Sequence, residues 1–306
     1  MENSRQAFRS ARLPISMENH FMQIIEHQQF DAERALYGSS GLTVRNCRFD
    51  GPADGESALK ESRNIVAERC FFNLRYPFWH NHNLTIRDGE MTEQCRAALW
   101  YSEQVHILNT KLYGIKAVRE CQDVTIEECD IRSPEFGWST DGIRMTDSTA
   151  QSEYFLMRAK NVDFSRVTFQ GKYSFQYMEH GAFANCQFDT KDAFWHAKNI
   201  VIRDSVVKGE YLAWYSDGLT FLNCRIIGAQ PFCYCKNLKL VNCEMLDTDL
   251  CFEKSEVEAV ITTPVISIKN PRAGTITVPS VNEIILDDPD AKGQIKTIQP
   301  DSGACA

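Results

Sequence analysis

The chain lacks most of the features by which a sequence declares an activity. No apolar run comes near the ~20 residues that a bilayer-spanning helix needs, which excludes such a helix. Arg5, Arg9 and Arg12 lie near the start without the apolar stretch of a secretory leader, so the protein is expected in the cytoplasm. Its 33 Lys and Arg stand against 41 Asp and Glu, a net charge of -8, and no basic stripe offers itself to phosphates. Nucleic acid is therefore excluded as a partner, because phosphate neutralisation supplies most of that affinity. Phosphate loops, dinucleotide fingerprints and nucleophile elbows are also missing. His80 with His82, and Cys233 with Cys235, are spaced to share a face, but no second pair completes a tetrahedral set. Neither a metal nor a cofactor is expected.

What the chain has instead is a period. An apolar pair two residues apart, such as Val105 and Ile107, is followed three residues later by a small marker. From Thr110 the markers run Cys129, Ser148, Val167, Cys186, Ser205, Cys224, Cys243 and Thr262, nineteen residues apart each time. Cys47, Cys70 and Gly89 precede them at steps of 23, 19 and 21 residues. Nineteen residues are too few for two packed helices. They suit one coil of a parallel β-helix, whose strands pair with their counterparts one coil away at roughly 4.8 Å. In the coil from Leu219 to Ile226, Leu219 and Phe221 share one inward face, and Cys224 and Ile226 another. The odd step between the pairs puts a corner at Leu222 and Asn223. Asn46, Asn109, Asn185, Asn223 and Asn242 all hold that corner, where a short amide tolerates a left-handed backbone.

A third strand is expected to end near Trp79, Trp100, Trp138, Trp195 and Trp214. Alternation then sends the Trp column inward, together with Pro77, Ala98, Ala117, Phe136 and Phe155 two positions earlier in their coils. Three columns face outward. One holds Tyr154, Tyr173, Asp192 and Tyr211; the next holds Leu99, Val118, Leu156, Phe175, Phe194 and Phe232. The last runs His80, Tyr101, Glu120, Ser139, Arg158, Tyr177, His196, Tyr215, Tyr234 and Glu253.

The expected architecture is all-β, a single-stranded parallel β-helix of about ten to eleven coils of ~19 residues, forming one elongated domain over residues 42–263. Residues 1–41 are expected to cap one end, with a strand at Ile24 and Ile25 and a short helix between Asp31 and Tyr37. Residues 264–298 are expected to cap the other as a β-hairpin turning at Pro271 to Gly274, and residues 299–306 to be a disordered tail. Six of the 12 cysteines stand in the marker column and are expected to be reduced, serving as small apolar residues.

An outward strip of aromatics edged by carboxylates offers a sugar chain flat faces and acids for its hydroxyls. Glu120 and Glu135 lie in consecutive coils, and two carboxylates are the minimum apparatus of glycoside hydrolysis. With Arg158, Asp192 and His196 they form the candidate catalytic set. Tyr101, Lys116, Tyr154, Tyr173, Tyr177 and Tyr215 are the candidate substrate contacts, and Lys116 and Arg158 would hold an acidic group. The expectation is a protein that binds an oligosaccharide along this face and, if an enzyme, cleaves it in the manner of a glycoside hydrolase. One alternative is a non-catalytic scaffold or homodimer that uses the same strip. The other is a polysaccharide lyase with Arg158 as base, but no clustered carboxylates for its calcium ion are found.

Beyond the period, residues 37–49, 51–58, 73–80, 95–101, 133–137, 171–177, 192–196 and 209–211 resemble a bacterial family catalogued as a domain of unknown function. The resemblance covers nearly the whole chain. It implies a right-handed parallel β-helix of the pectate-lyase-like superfamily and nominates no catalytic residue. The segment Trp138 to Ala150 departs from the regular turn and strand expected of that family. Two strings are also similar to polygalacturonase motifs: Ser139-Thr140-Asp141-Gly142 to Asn-Thr-Asp, and Glu179-His180-Gly181 to Gly-His-Gly. That similarity nominates Asp141 and His180, but Lys160 and Asn161 stand where the intervening acids belong, and the Arg-x-Lys motif is not evident.

Overall fold

Backbone hydrogen bonding in this chain runs from coil to coil. A computed structural model describes residues 23–298, and the expected tail lies outside the described residues. The strands pair in parallel, with no helix among the described residues. The result is a parallel β-helix of about 14 turns. Its first side stacks strands such as Glu103–Leu108, Gln122–Glu127, Asp141–Thr146 and Lys160–Ser165 in register, Val105 over Val124 over Ile143 over Val162. Its second side stacks Lys111–Tyr113, Asp130–Arg132, Thr149–Glu153 and Thr168–Lys172.

The corner between these sides explains the marker residues. Asn46, Asn109, Asn185, Asn223 and Asn242 have φ of 51°, 44°, 56°, 52° and 53°, the left-handed backbone expected of them. Their amides link coils, Asn242 donating to Asn223 at 3.0 Å and Asn223 to Asp204 at 3.1 Å. A left-handed corner leaves polar backbone groups facing the interior, and the markers satisfy them. Ser148 Oγ donates to the Thr146 carbonyl at 2.7 Å and accepts the Cys129 N–H at 3.0 Å. Ser205 repeats the pair of bonds with Arg203 at 2.7 Å and Cys186 at 2.9 Å. Cysteine stands in the same place as a weak donor: the Cys224 thiol lies 3.3 Å from the Leu222 carbonyl and 3.4 Å from that of Ile202. The column is thus a polar seam in an apolar core. All 11 described cysteines are free and buried.

Both ends differ from expectation. Gln23–Glu26 pairs in parallel with Ser40–Arg45, so residues 23–30 belong to a coil, and Ala32 to Gly38 make a bend with no helix. At the other end no hairpin forms. Val265–Lys269 pairs in parallel with Val281–Ile285, and Ala273–Val278 pairs in parallel with Glu256–Ile261 and Gln294–Thr297. The solenoid continues there in coils of changed length, which hides them from a nineteen-residue period and accounts for the larger number of turns.

Ser205→Ala removes both marker bonds and strands the Cys186 N–H in the core. Urea unfolding is expected to show a loss of about 1–3 kcal/mol, with Ser205→Cys losing less because the thiol still donates.

Candidate functional site

After its second strand most coils close in a bend, and the expected third strand forms as a short parallel pair at Leu99–Trp100 and Val118–Arg119, with a bridge on to Trp138. Tyr173, Phe175 and Tyr177 have φ of 56°, 60° and 56°, and Asp192, Phe194 and His196 have 54°, 60° and 55°. Left-handed backbone costs a residue with a side chain roughly 1–2 kcal/mol, and here hydrogen bonds to both neighbouring coils hold it in place. The Tyr173 and Tyr177 N–H groups each donate forward at 2.8 Å, to Lys191 and Trp195, while that of Phe175 donates backward to Phe155 at 2.7 Å. In such a chain side chains do not alternate. Adjacent residues Phe155 and Leu156, Ser174 and Phe175, and Ala193 and Phe194 are all buried.

One column therefore moves inward, and the tryptophans of another move out while Gln176, Cys233 and Phe252 of that column stay buried. Leu99, Val118, Leu156, Phe175, Phe194 and Phe232, expected outside, are fully buried. Trp79, Trp100, Trp138, Trp195 and Trp214, expected inside, emerge half-buried. Four indoles are fixed by donating Nε1–H to a carbonyl of the next coil, as Trp195 does to Tyr211 at 2.7 Å and Trp214 to Gln230 at 2.8 Å. Trp100 Nε1 is buried without a partner.

Along the outer edge the rings stack on one another. Tyr177, His196, Tyr215 and Tyr234 form a continuous pile, with centroids 4.9, 5.1 and 4.7 Å apart and planes within 8°, 8° and 7° of parallel. Tyr101 stacks on His80 at 5.1 Å, and Tyr154 on Tyr173 at 5.0 Å. Ring faces are thus spent on other rings, and edges point to solvent. Tyr215, stacked on both sides, is still 46% exposed through its edge and hydroxyl, and Tyr177, at the end of the pile, is 47% exposed with one face free.

The middle of the strip is charged and internally paired. Arg119, whose column was expected inside, lies between the rings of Trp100 and Trp138, 5.0 Å from each centroid. Its guanidinium reaches Glu120 at 3.2 Å and Glu135 at 3.8 Å, and Lys116 reaches Glu135 at 3.4 Å. The two carboxylates do come to one place, and cations occupy it. Arg158 is exposed, two coils from Glu120 in the same column with Ser139 between them, so the fold does not set it beside the pair. Asp192 is buried between Tyr173 and Tyr211 in its column, and burial pushes its pKa up from the ordinary value. His196 sits inside the ring pile.

Asp141 and His180 lie off this strip, on the first side. Asp141 pairs in register with Lys160 and Lys160 with Glu179, whose carboxylate it reaches at 3.5 Å. The two strings that resemble polygalacturonase motifs are rungs of an alternating charge ladder. Among the described residues no three His, Cys, Asp or Glu are grouped to hold a metal ion.

A family model described as "Protein of unknown function (DUF3737)" matches residues 23–299. No curated protein matches the chain. Among solved structures it is similar to the catalytic domain of a GH87 α-1,3-glucanase in complex with tetrasaccharides, at 12% identity and a TM-score of 0.31 over 90% of this chain. The chain spans 64% of that domain's length. It is also similar to the A-module of the Azotobacter vinelandii mannuronan C-5 epimerase AlgE4, at 9% identity and a TM-score of 0.26 over 90% of this chain and 87% of the other. A third likeness is to PfbA, a surface adhesin of Streptococcus pneumoniae, at 8% identity and a TM-score of 0.29 over 84% and 81%. At such scores the likeness carries nothing to the strip.

Arg119→Ala removes the rung between Trp100 and Trp138 and leaves Glu120 and Glu135 side by side. A loss of about 1–2 kcal/mol is expected from denaturant unfolding followed by Trp emission. Arg119→Lys is expected to recover only part of it, lacking the planar fork that stacks and pairs at once.

Proposed function

We propose, for a chain that belongs to the DUF3737 family of proteins of unknown function, that the third side of the solenoid binds an oligosaccharide lying along the coil axis. The observation that carries this reading is the in-register ring pile from Tyr177 to Tyr234. Each tyrosine edge ends in a hydroxyl that both donates and accepts, and with the ring nitrogens of His196 the pile presents one polar edge per coil. A ligand that is itself a repeating chain of hydroxyls meets such a ladder without strain in either partner. Recognition is then by hydrogen bonds to ring edges. Stacking on faces is available only at the ends of a pile, such as the side of Tyr177 toward Arg158.

Binding is favoured over cleavage by the state of the carboxylates. Hydrolysis needs one carboxyl to give a proton and another to attack or to activate water. Glu120 accepts a hydrogen bond from Arg119, and Glu135 is ion-paired with both Arg119 and Lys116. The cluster holds two positive and two negative groups and so is neutral as a unit. Its part in this reading is to fix Trp100 and Trp138 at the centre of the strip.

The test is a panel of neutral and uronic-acid oligosaccharides, followed by calorimetry for binding and by mass spectrometry for change. Saturable binding with the sugars recovered intact is expected. Tyr177→Phe and Tyr215→Phe are each expected to weaken it about 2- to 10-fold, the worth of one hydroxyl hydrogen bond, and His196→Ala, which breaks the pile, by more. Fragments carrying an added water, or unsaturated fragments formed without it, would overturn the binding reading in favour of a hydrolase or a lyase. A concentration-dependent dimer that these same substitutions dissolve, with no sugar bound, would overturn it in favour of self-association.

A further inference from the structure

We infer that Asp192 is the specificity-determining residue of the strip, a carboxylate left unpaired to accept hydrogen bonds from the hydroxyls of a neutral sugar; this rests on the strip being the oligosaccharide site. Asp192 is 7% exposed. Its column places Tyr173 one coil before it and Tyr211 one coil after. Those two rings are too far apart to stack on each other, so the acid takes the place of the ring that would join them.

Nothing in the protein satisfies it. Among the described residues the Asp192 side chain makes no hydrogen bond and no ion pair, unlike Glu120 and Glu135. Lys191, next to it in sequence, turns away to Glu210 at 2.9 Å and rests its ammonium 5.3 Å from the Tyr211 ring centroid. The side chain is largely covered while its carboxylate oxygens still reach solvent, so burial costs it partial desolvation and leaves those oxygens open to a ligand hydroxyl. The cost shows in the direction of its pKa, raised first by burial and further by Glu210, with Lys191 opposing. A tyrosine, as in the neighbouring coils, would avoid that cost. What the acid adds is a strong acceptor opening between two rings, suited to paired sugar hydroxyls. A ligand carboxylate would meet both Asp192 and Glu210 there, so acidic sugars are disfavoured at this position.

The experiment compares the full-length protein with Asp192→Asn by calorimetry, against neutral and uronic-acid oligosaccharides of equal length, and by thermal melting. The wild type is expected to prefer the neutral sugars, and the variant to bind them about tenfold or more weakly, the loss of a charge-assisted bond. The variant is also expected to melt higher at pH 7. Because the folded pKa lies above the unfolded one, stability falls as pH rises through that interval, so the gain from removing the charge is present at neutral pH. It should vanish below the unfolded value of about 3.9. Equal binding by wild type and variant, a wild-type preference for uronic acids, or a variant that melts lower would each overturn the role of Asp192 and leave the strip as a binding site. A wild type that binds no sugar would overturn both.

Discussion

Each coil of this protein can pair its backbone only with the coils above and below, so every side chain is set directly over its counterpart. That constraint turns composition into columns. Phenylalanines pile up inside, Phe49 on Phe72 at 4.6 Å and Phe175 on Phe194 at 4.6 Å. Serines and cysteines line the polar seam of the corner. Charges cannot repeat in this way without repulsion, so on the first side they alternate, Asp141, Lys160, Glu179, Lys198 and Asp217 following one another in register.

How much of this the sequence discloses depends on how local the determining signal is. The marker and the corner asparagine recur within a few residues of each other, and they disclose the period, the first two sides and the left-handed turn. The third side is hidden because an alternating strand and a bend with alternate left-handed residues place the same apolar count differently. Adjacent apolar pairs such as Phe155 with Leu156 were the available sign, as were Arg119 and Gln176 in a column meant for the core. At the C-terminal end, Pro271 to Gly274 has the composition of a hairpin turn. Only pairing between Val265–Lys269 and Val281–Ile285, which is not local, reveals another coil. The catalytic and substrate-contact candidates nonetheless lie along one strip, since their columns border it under either geometry, whereas Asp141 and His180 fall on the first side.

Stacking at the coil spacing also decides what kind of surface the strip is. A lone exposed tyrosine offers a face, whereas a tyrosine between two rings offers an edge. The pile from Tyr177 to Tyr234 is therefore rigid and polar-tipped, and little ordering of side chains remains to be done when a ligand arrives. Because the strip is built from bends that bond to both neighbouring coils, the spacing of its hydroxyls is set by the backbone. A ligand of the proposed kind would be selected by how well its own repeat keeps step over several coils.

Within this regular surface the two treatments of acid are informative. Glu120 and Glu135 are each given a cation, with Arg119 further held between two indoles, and the cluster contributes to structure whether or not anything binds. Asp192 is given none, although Lys191 is its neighbour and the ammonium of that residue is long enough to choose between Asp192 and Glu210. In a solenoid a paired alternative is always one coil away, so an unpaired buried acid is not forced by the fold. Its partial desolvation recurs with every molecule folded, and the solvent at its oxygens is what a ligand hydroxyl would replace.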